Sequence, residues 1–389
     1  MSIHWGNWDV RVYAAEALVS LASRFAVEHP TIADRLQTCL ADPAPAVRLQ
    51  VAQNLQVLFL AAPERMWAMA EQIVTSETDA EIISTFLSNA LRRLSRSEPE
   101  RCEALLGMVK DRLDGDLGGD YPGRNDILES LGGWTAQLYA GQGRTLTRTW
   151  LEEWSVDPAR YRDLLDAFTS SLRGAFFDRY APAAHANACA MCDRAQEGLS
   201  LILASATTTA AEAYRTLTSG APEDDKREAE QHYRAAEMVI NHAMNQLYFG
   251  SGAHANNQDT AVGLPDAAAK SRFLSEYPAI LALLGRSREP STLHHLIELY
   301  EFLIPGNPVT VFEAIHAILL GRGEEEGYHY ESLGSTAVVR IVQRYIADYR
   351  AIFEDEGRRG RLIAILQLFS EVGWPDALKL LYQLPDLFR

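Results

Sequence analysis

Residues 42–74 read DPAPAVRLQVAQNLQVLFLAAPERMWAMAEQIV. Two apolar-periodic segments flank a short break. In the first, Val47, Ala52, Leu55 and Leu58 carry the apolar pattern; in the second, Met69, Ala70 and Ile73 do. Spacings of three and four are those of a helix that buries one side. Pro63 opens the second segment, where a helix loses nothing by lacking an N–H. No side chain in the stretch is obviously suited to chemistry, so its meaning lies in how often it recurs.

It recurs on both sides. VRVYAAEALVSL from Val10 aligns with VRLQVAQNLQVL from Val47 at an offset of 37. The alignment pairs Arg11 with Arg48, Ala15 with Ala52, Leu18 with Leu55 and Leu21 with Leu58. Ile32, Ala33 and Leu36 fall on Met69, Ala70 and Ile73. A third copy follows at an offset of 36, where PERMWAMAEQIV from Pro63 meets PERCEALLGMVK from Pro99. Leu55 and Leu58 then meet Leu91 and Leu94, and Met69, Ala70 and Ile73 meet Leu105, Leu106 and Val109. A period of this size is what stacked helical hairpins produce, each burying its apolar face only against a neighbour. The small Ala15 and Ala52 let paired helices approach closely.

The pattern resembles HEAT repeats over about residues 5–113. Asp42, Pro43, Val47, Arg48, Ala52 and Leu55 match the Asp-Pro, Val-Arg, small residue and leucine of that family's first helix. The first copy keeps Val10 and Arg11 but has no proline before them, and the third lacks the Val-Arg pair. The resemblance implies stacked helix pairs and a binding or scaffolding role. The expectation is an all-α, HEAT-like right-handed α-solenoid, irregular in the middle. Its expected parts are HEAT-like repeats over 1–113, an irregular helical continuation over 114–249 and C-terminal helix pairs over 266–389. The chain begins almost inside its first repeat helix, which suggests a fragment or a truncated reading frame.

Beyond the repeats, DGDLGGDYPGRN (residues 114–125) breaks the helical pattern with Gly, Pro and Asp. Trp150, Trp154, Tyr161, Leu164, Leu165 and Phe168 form one apolar-aromatic progression. Residues 222–249 read as one long helix with acids near its start, as the helix dipole prefers. Residues 250–265 are polar and glycine-bearing, and read as a mobile loop and domain boundary. Helix pairs resume beyond it. One helix is expected to put Val338, Ile341, Val342, Tyr345, Tyr349 and Ile352 on one face. The C-terminal third vaguely resembles the helical tails of large bacterial multidomain NTPases, some of them defence-related.

Composition narrows the partners. The 389 residues carry 36 Lys and Arg against 52 Asp and Glu, a net charge of −16. That opposes sequence-independent binding to nucleic acid and to anionic membranes, where cationic side chains must replace counterions. Four cysteines are too few for a disulfide framework, so a reducing, cytoplasmic setting is expected. No run approaches the apolar length of a membrane span.

Candidate chemistry is sparse. His185, Cys189 and Cys192 share a helix face and are zinc-ligand types, but a structural zinc site needs a fourth ligand. Core packing is the expectation for them, and no metal is expected. Asp114, Asp116 and Asp120 superficially fit a calcium loop, yet Gly118 and Asn125 stand where ligands are needed. His294 and His295 are helix neighbours about 100° apart and cannot both face one site. The most function-like segment is GRGEEEGYHYESLGS, residues 321–335. Glu324, Glu325, Glu326, Tyr328, His329 and Tyr330 are its candidate partner contacts, because aromatic residues are common interface anchors. The loop is expected to be exposed and mobile. No phosphate-binding loop, nucleophile elbow or HExxH motif occurs. The expected function is a non-catalytic protein-interaction scaffold or sensor without cofactor. The alternatives are the regulatory part of a larger NTPase and a HEAT-like enzyme or nucleic-acid processor.

Overall fold

The computed structural model describes residues 9–181, 184–255 and 263–387, and every regular element among them is helical. The chain divides into two compact units, residues 1–138 with 144–148, and residues 139–143 with 149–389. The segment expected as a continuation from residue 114 to 249 is thus shared between them.

The first unit runs through α1 (Val10–Phe25), α2 (Thr31–Leu40), α3 (Pro45–Ala52), α4 (Pro63–Ser76), α5 (Ala80–Phe86), α6 (Arg92–Leu94), α7 (Pro99–Leu113) and α8 (Arg124–Ala136). Pro63 and Pro99 each open a helix, as their spacing requires. Ala15 and Ala52 are both fully buried, and so are Leu91 and Leu55 in the next register. Ala33, Leu36, Met69, Ala70, Ile73, Leu105, Leu106 and Val109 form the matching inner faces of the second helices. Helix pairs therefore stack in the HEAT manner.

The Val-Arg pair has a physical task in this stack. Arg11 donates to Asp42 of the following repeat at 3.1 Å. Arg48, its counterpart, donates through Nε and Nη2 to both Glu77 oxygens at 2.8 and 2.9 Å and through Nη1 to the Asp42 carbonyl. A parallel set joins the second helices, Arg65 with Asp34 and Arg101 with Glu64. The exposed pairs contribute little. Arg48 and Glu77 are largely buried, so their geometry ties one repeat to the next.

One pairing departs from expectation. Leu58 is buried, but its counterpart Leu21 is 45% exposed. α1 continues as a regular helix to Phe25, whereas α3 stops at Ala52 and a 3-10 turn over Leu55–Leu58 swings both leucines inward. The repeat is conserved in spacing but not in backbone. Between α5 and α6 the helix widens into a π-turn, Leu87–Leu91, and the Trp134 indole N–H donates to the Leu87 carbonyl at 3.0 Å. That contact fixes α8 on α5.

In the second unit α9 (Thr145–Val156) leads to α10 (Pro158–Ser171), α11 (Ala186–Leu217) and α12 (Glu223–Ser251). The apolar-aromatic progression is interrupted at Asp157, whose carboxylate caps α10 at the Arg160 N–H. α12 begins with Glu223, Asp224 and Asp225 in its first turn and packs against α10, α11 and later α15. Gly198 lets α11 lie close to α9 and α10, because a Cβ there would meet Phe168, Tyr139 and Leu151 at 3.1–3.2 Å. Gly252, at φ +92°, ends α12. Of the expected loop at 250–265, residues 256–262 lie outside the described residues. Its flanks are joined, since the Leu264 N–H donates to the Ser251 carbonyl at 3.0 Å.

α13 (Ala267–Glu276), α14 (Pro278–Leu284), α15 (Pro290–Leu303), α16 (Pro308–Ile318), α17 (Ser332–Asp348), α18 (Glu356–Glu371) and α19 (Pro375–Leu387) complete the unit. α17 buries Val338, Ile341, Val342 and Tyr345. It ends at Asp348, so Tyr349 and Ile352 lie beyond its face, Ile352 in a following 3-10 turn.

Candidate interaction site

The segment joining α16 to α17 is not the free loop its composition suggests. α16 passes into a π-turn at Leu319–Gly323, and a turn closes with Gly327 in the left-handed region at φ +76°. A 3-10 turn, Tyr328–Tyr330, then feeds α17. Three ion pairs hold the acidic run, one of them Arg322 with Glu326 at 3.8 Å. Glu326 contacts Arg288, whose guanidinium lies 3.6 Å over the Tyr214 ring, and Glu325 accepts from Arg322 at 2.5 Å. Glu324 is exposed. Glu325 and Glu326 thus share Arg322, and Glu324 stands apart from them in water.

The aromatic residues separate sharply. Tyr328 is 1% exposed and His329 is also buried, against the expectation of exposure. The Tyr328 hydroxyl lies 3.0 Å from His294 Nδ1. Gly334 makes room for it, since a Cβ there would meet the Tyr328 ring at 3.0 Å. Burial raises the Tyr328 phenol above its ordinary pKa. Tyr330 points the other way and is 68% exposed. Successive side chains on a 3-10 turn are about 120° apart, so Tyr328 and His329 face inward while Tyr330 faces water, and the core takes the ring that has a polar partner inside.

Tyr330 has company. The His329 carbonyl accepts from the Trp374 indole N–H at 2.8 Å, which brings the start of α19 against the turn. Trp374, Leu378 and Tyr382 are four residues apart and share one side of α19. Trp374 is half-buried, Leu378 is exposed and Tyr382 is 77% exposed. The opposite side buries Ala377, Leu380 and Leu384. Tyr330 follows His329, the residue whose carbonyl holds Trp374, and Tyr330 and Tyr382 are the exposed aromatic residues of these two segments. Exposed Glu331 and Asp376 stand beside them in the chain, with Lys379. Trp374, Leu378 and Tyr382 were legible in WPDALKLLYQL as a second apolar stripe out of phase with the first. The signal is only that a helix apolar on two sides must leave one uncovered.

The two histidines take different hydrogen-bond partners, yet their rings stay 6.0 Å apart beside Glu298. His295 Nδ1 lies 2.7 Å from Asn245 Oδ1, and its ring stacks on Tyr248 at 4.5 Å. Tyr248 donates to Glu298 at 2.7 Å, and Arg340 donates to Glu298 and to both oxygens of buried Glu301. These bonds lock α17 and α12 onto α15. Burial, and then the charge of His294, hold the His295 pKa below its ordinary value.

The remaining candidates are placed apart from any site. Cys192 is buried, and burial raises its thiol pKa; His185 directly precedes α11 and its side chain makes no capping bond there. Asp116 accepts from Arg112 at 2.6 Å. Among the described residues no group of three His, Cys, Asp or Glu side chains could hold a metal ion. Among them, too, no helix is long and apolar enough to cross a membrane.

No family model matches the chain, and no curated protein matches it either. Two solved structures are similar over 92% of this chain: Kap121p bound to Ste12p, at 12% identity and a TM-score of 0.39, and a multiply substituted Kap121p, at 13% identity and 0.39. The chain spans 39% of the length of each.

Proposed function

We propose that this chain is a non-catalytic protein-binding scaffold whose partner docks on the strip of Tyr330, Trp374, Leu378 and Tyr382. The observation that carries this reading is where these side chains stand. Tyr382 and Leu378 stand exposed on α19, whose other side is packed in the core, and Tyr330 stands exposed on the turn that half-buried Trp374 touches. Exposed aromatic anchors with charged neighbours are what binding surfaces present, whereas scattered apolar residues are ordinary. Trp374, held by its hydrogen bond to His329, is preorganised and loses little freedom on docking. Of the contacts expected from sequence, Tyr330 is the one this reading retains as an anchor; Glu324 and Glu325 remain as rim charges. The net charge of −16 supports a protein partner over nucleic acid.

Site-specific photo-crosslinking in the producing cell tests it. A crosslinking residue at position 330 and one at position 382 should trap the same partner. The same residue at exposed position 228 on α12 should not trap it, and Trp374→Ala should abolish the adduct from 330. Equal adducts at all three positions, or none at 330 and 382, would refute the strip.

A further inference from the structure

Away from the aromatic strip, the second unit contains a cleft of about 400 Å³ formed by α10, α12 and the start of α15. Its volume is in the range of small-ligand sites, about 300–1,000 Å³. Asp166 enters it from α10, Glu237, Met238, Asn241 and His242 from α12, and Glu289 from the cap of α15. The cleft is thus lined from three elements by three carboxyl groups.

Its cations are already engaged. Arg234, the one arginine of the lining, contacts Glu230 and is mostly exposed. Arg162, nearby on α10, donates twice to Asp163, at 2.8 and 3.1 Å, and once to the Met238 sulfur. His242 brings no charge. Its Nε2 meets the Ser170 hydroxyl at 2.7 Å and the Gln246 amide at 3.0 Å, and burial lowers its pKa.

The acids are unevenly satisfied. Glu237 is 2% exposed and accepts from the Ser287 hydroxyl at 2.6 Å and the Arg288 N–H at 3.1 Å. Each of its oxygens keeps a further acceptor site. Asp166 Oδ1 is fully enclosed and has no hydrogen-bond partner at all. A buried polar atom without a partner is costly, and native structures keep few of them. Beside these acceptors Met238, half-exposed, supplies an apolar and adaptable wall. The combination asks for a group with several N–H donors, positive charge and an aliphatic stem.

We infer that this cleft binds a guanidinium or primary ammonium group on an aliphatic stem, with Asp166 as the acceptor at its inner end. A free amine and an arginine side chain on a peptide share that chemistry. Planar guanidinium offers five donors in a fixed fork, which suits acceptors spread over several elements.

Calorimetric titration of the full chain decides the matter. The probes are agmatine, a short end-capped peptide carrying one arginine, and the same peptide with uncharged citrulline in its place. Saturable binding of agmatine identifies a free cation as ligand; binding of the arginine peptide alone identifies a side chain. In either case citrulline, Asp166→Asn and Glu289→Gln should each weaken binding at least about tenfold. The two variants sit on different elements, so a folding defect in one leaves the other informative. No saturation by agmatine or the arginine peptide up to about 1 mM, equal binding of the citrulline peptide, or unchanged affinity in both variants overturns the inference.

Discussion

Tyr328 and Tyr330 are two residues apart and of one type, so exchanging each for serine isolates what burial contributes. At Tyr328 the ring is fully enclosed, and truncating a buried aromatic side chain costs about 3–5 kcal/mol. Its hydroxyl contact with His294 adds about 1 kcal/mol, which Tyr328→Phe should lose by itself. The second unit holds well over two hundred residues, a size at which each kcal/mol moves the melting temperature by roughly 2–4 °C. Tyr328→Ser should therefore lower melting by roughly 10 °C. Tyr330, mostly in water, should shift stability by no more than about 0.5 kcal/mol when replaced. Thermal and denaturant unfolding followed by circular dichroism at the helical band measures both. If the two serine variants unfold alike, the turn does not sort its aromatic residues as described. If Tyr328→Ser is neutral, its ring is not part of the core and the segment is a free loop after all.

Three further outcomes follow from other parts of the molecule. Burial raises the Asp166 pKa from 3.8 to about 7, with Arg162 opposing and Asp163 adding to it; His242, Glu237, Arg234 and Glu289 face the same cleft. The folded chain then holds a proton over that window that the unfolded chain has released, so stability falls as pH rises from about 4 to about 7. At about 1.4 kcal/mol per pH unit, the lost stability above pH 7 is of the order of 4 kcal/mol, and Asp166→Asn should recover part of it at pH 8 but not at pH 4. Chemical denaturation at the two pH values checks this, and an equal effect at both would sink it. Arg48→Met should cost about 3 kcal/mol by leaving buried Glu77 without its cation, even though the Thr78 and Asp79 N–H groups remain. Although desolvation pushes the other way, the bonds from Arg48 hold Glu77 below its ordinary 4.5, so the loss should be full above that pH and shrink as pH falls below it. Ala52→Leu should overpack the first unit by about 1–3 kcal/mol, while Leu21→Ser should be nearly neutral; similar urea midpoints for the two would show the register to be misplaced.

Much of the architecture is determined by local order in the chain. Apolar spacing of three and four dictates helices, because only that period keeps one side of a helix in the core. Pro63, Pro99 and the acids at Glu223–Asp225 mark helix starts by backbone chemistry alone. The offsets of 37 and 36 place Ala15, Ala52, Leu55 and Leu91 in the core, because each hairpin can bury its face only on its neighbour. What spacing does not determine is the backbone's answer to crowding. Leu21 and Leu58 occupy equivalent places, yet a 3-10 turn buries one and a continuous helix exposes the other. The same holds for function. The loop of residues 321–335 looks solvated from its glycines and glutamates, but Arg288, His294 and Trp374, each distant in sequence, decide which of its side chains are held. Asp166, Glu237 and Glu289 line one cleft only when packing brings their elements together. A helix reports its own period in its sequence, but its neighbours are chosen by the burial of surfaces contributed from everywhere in the chain.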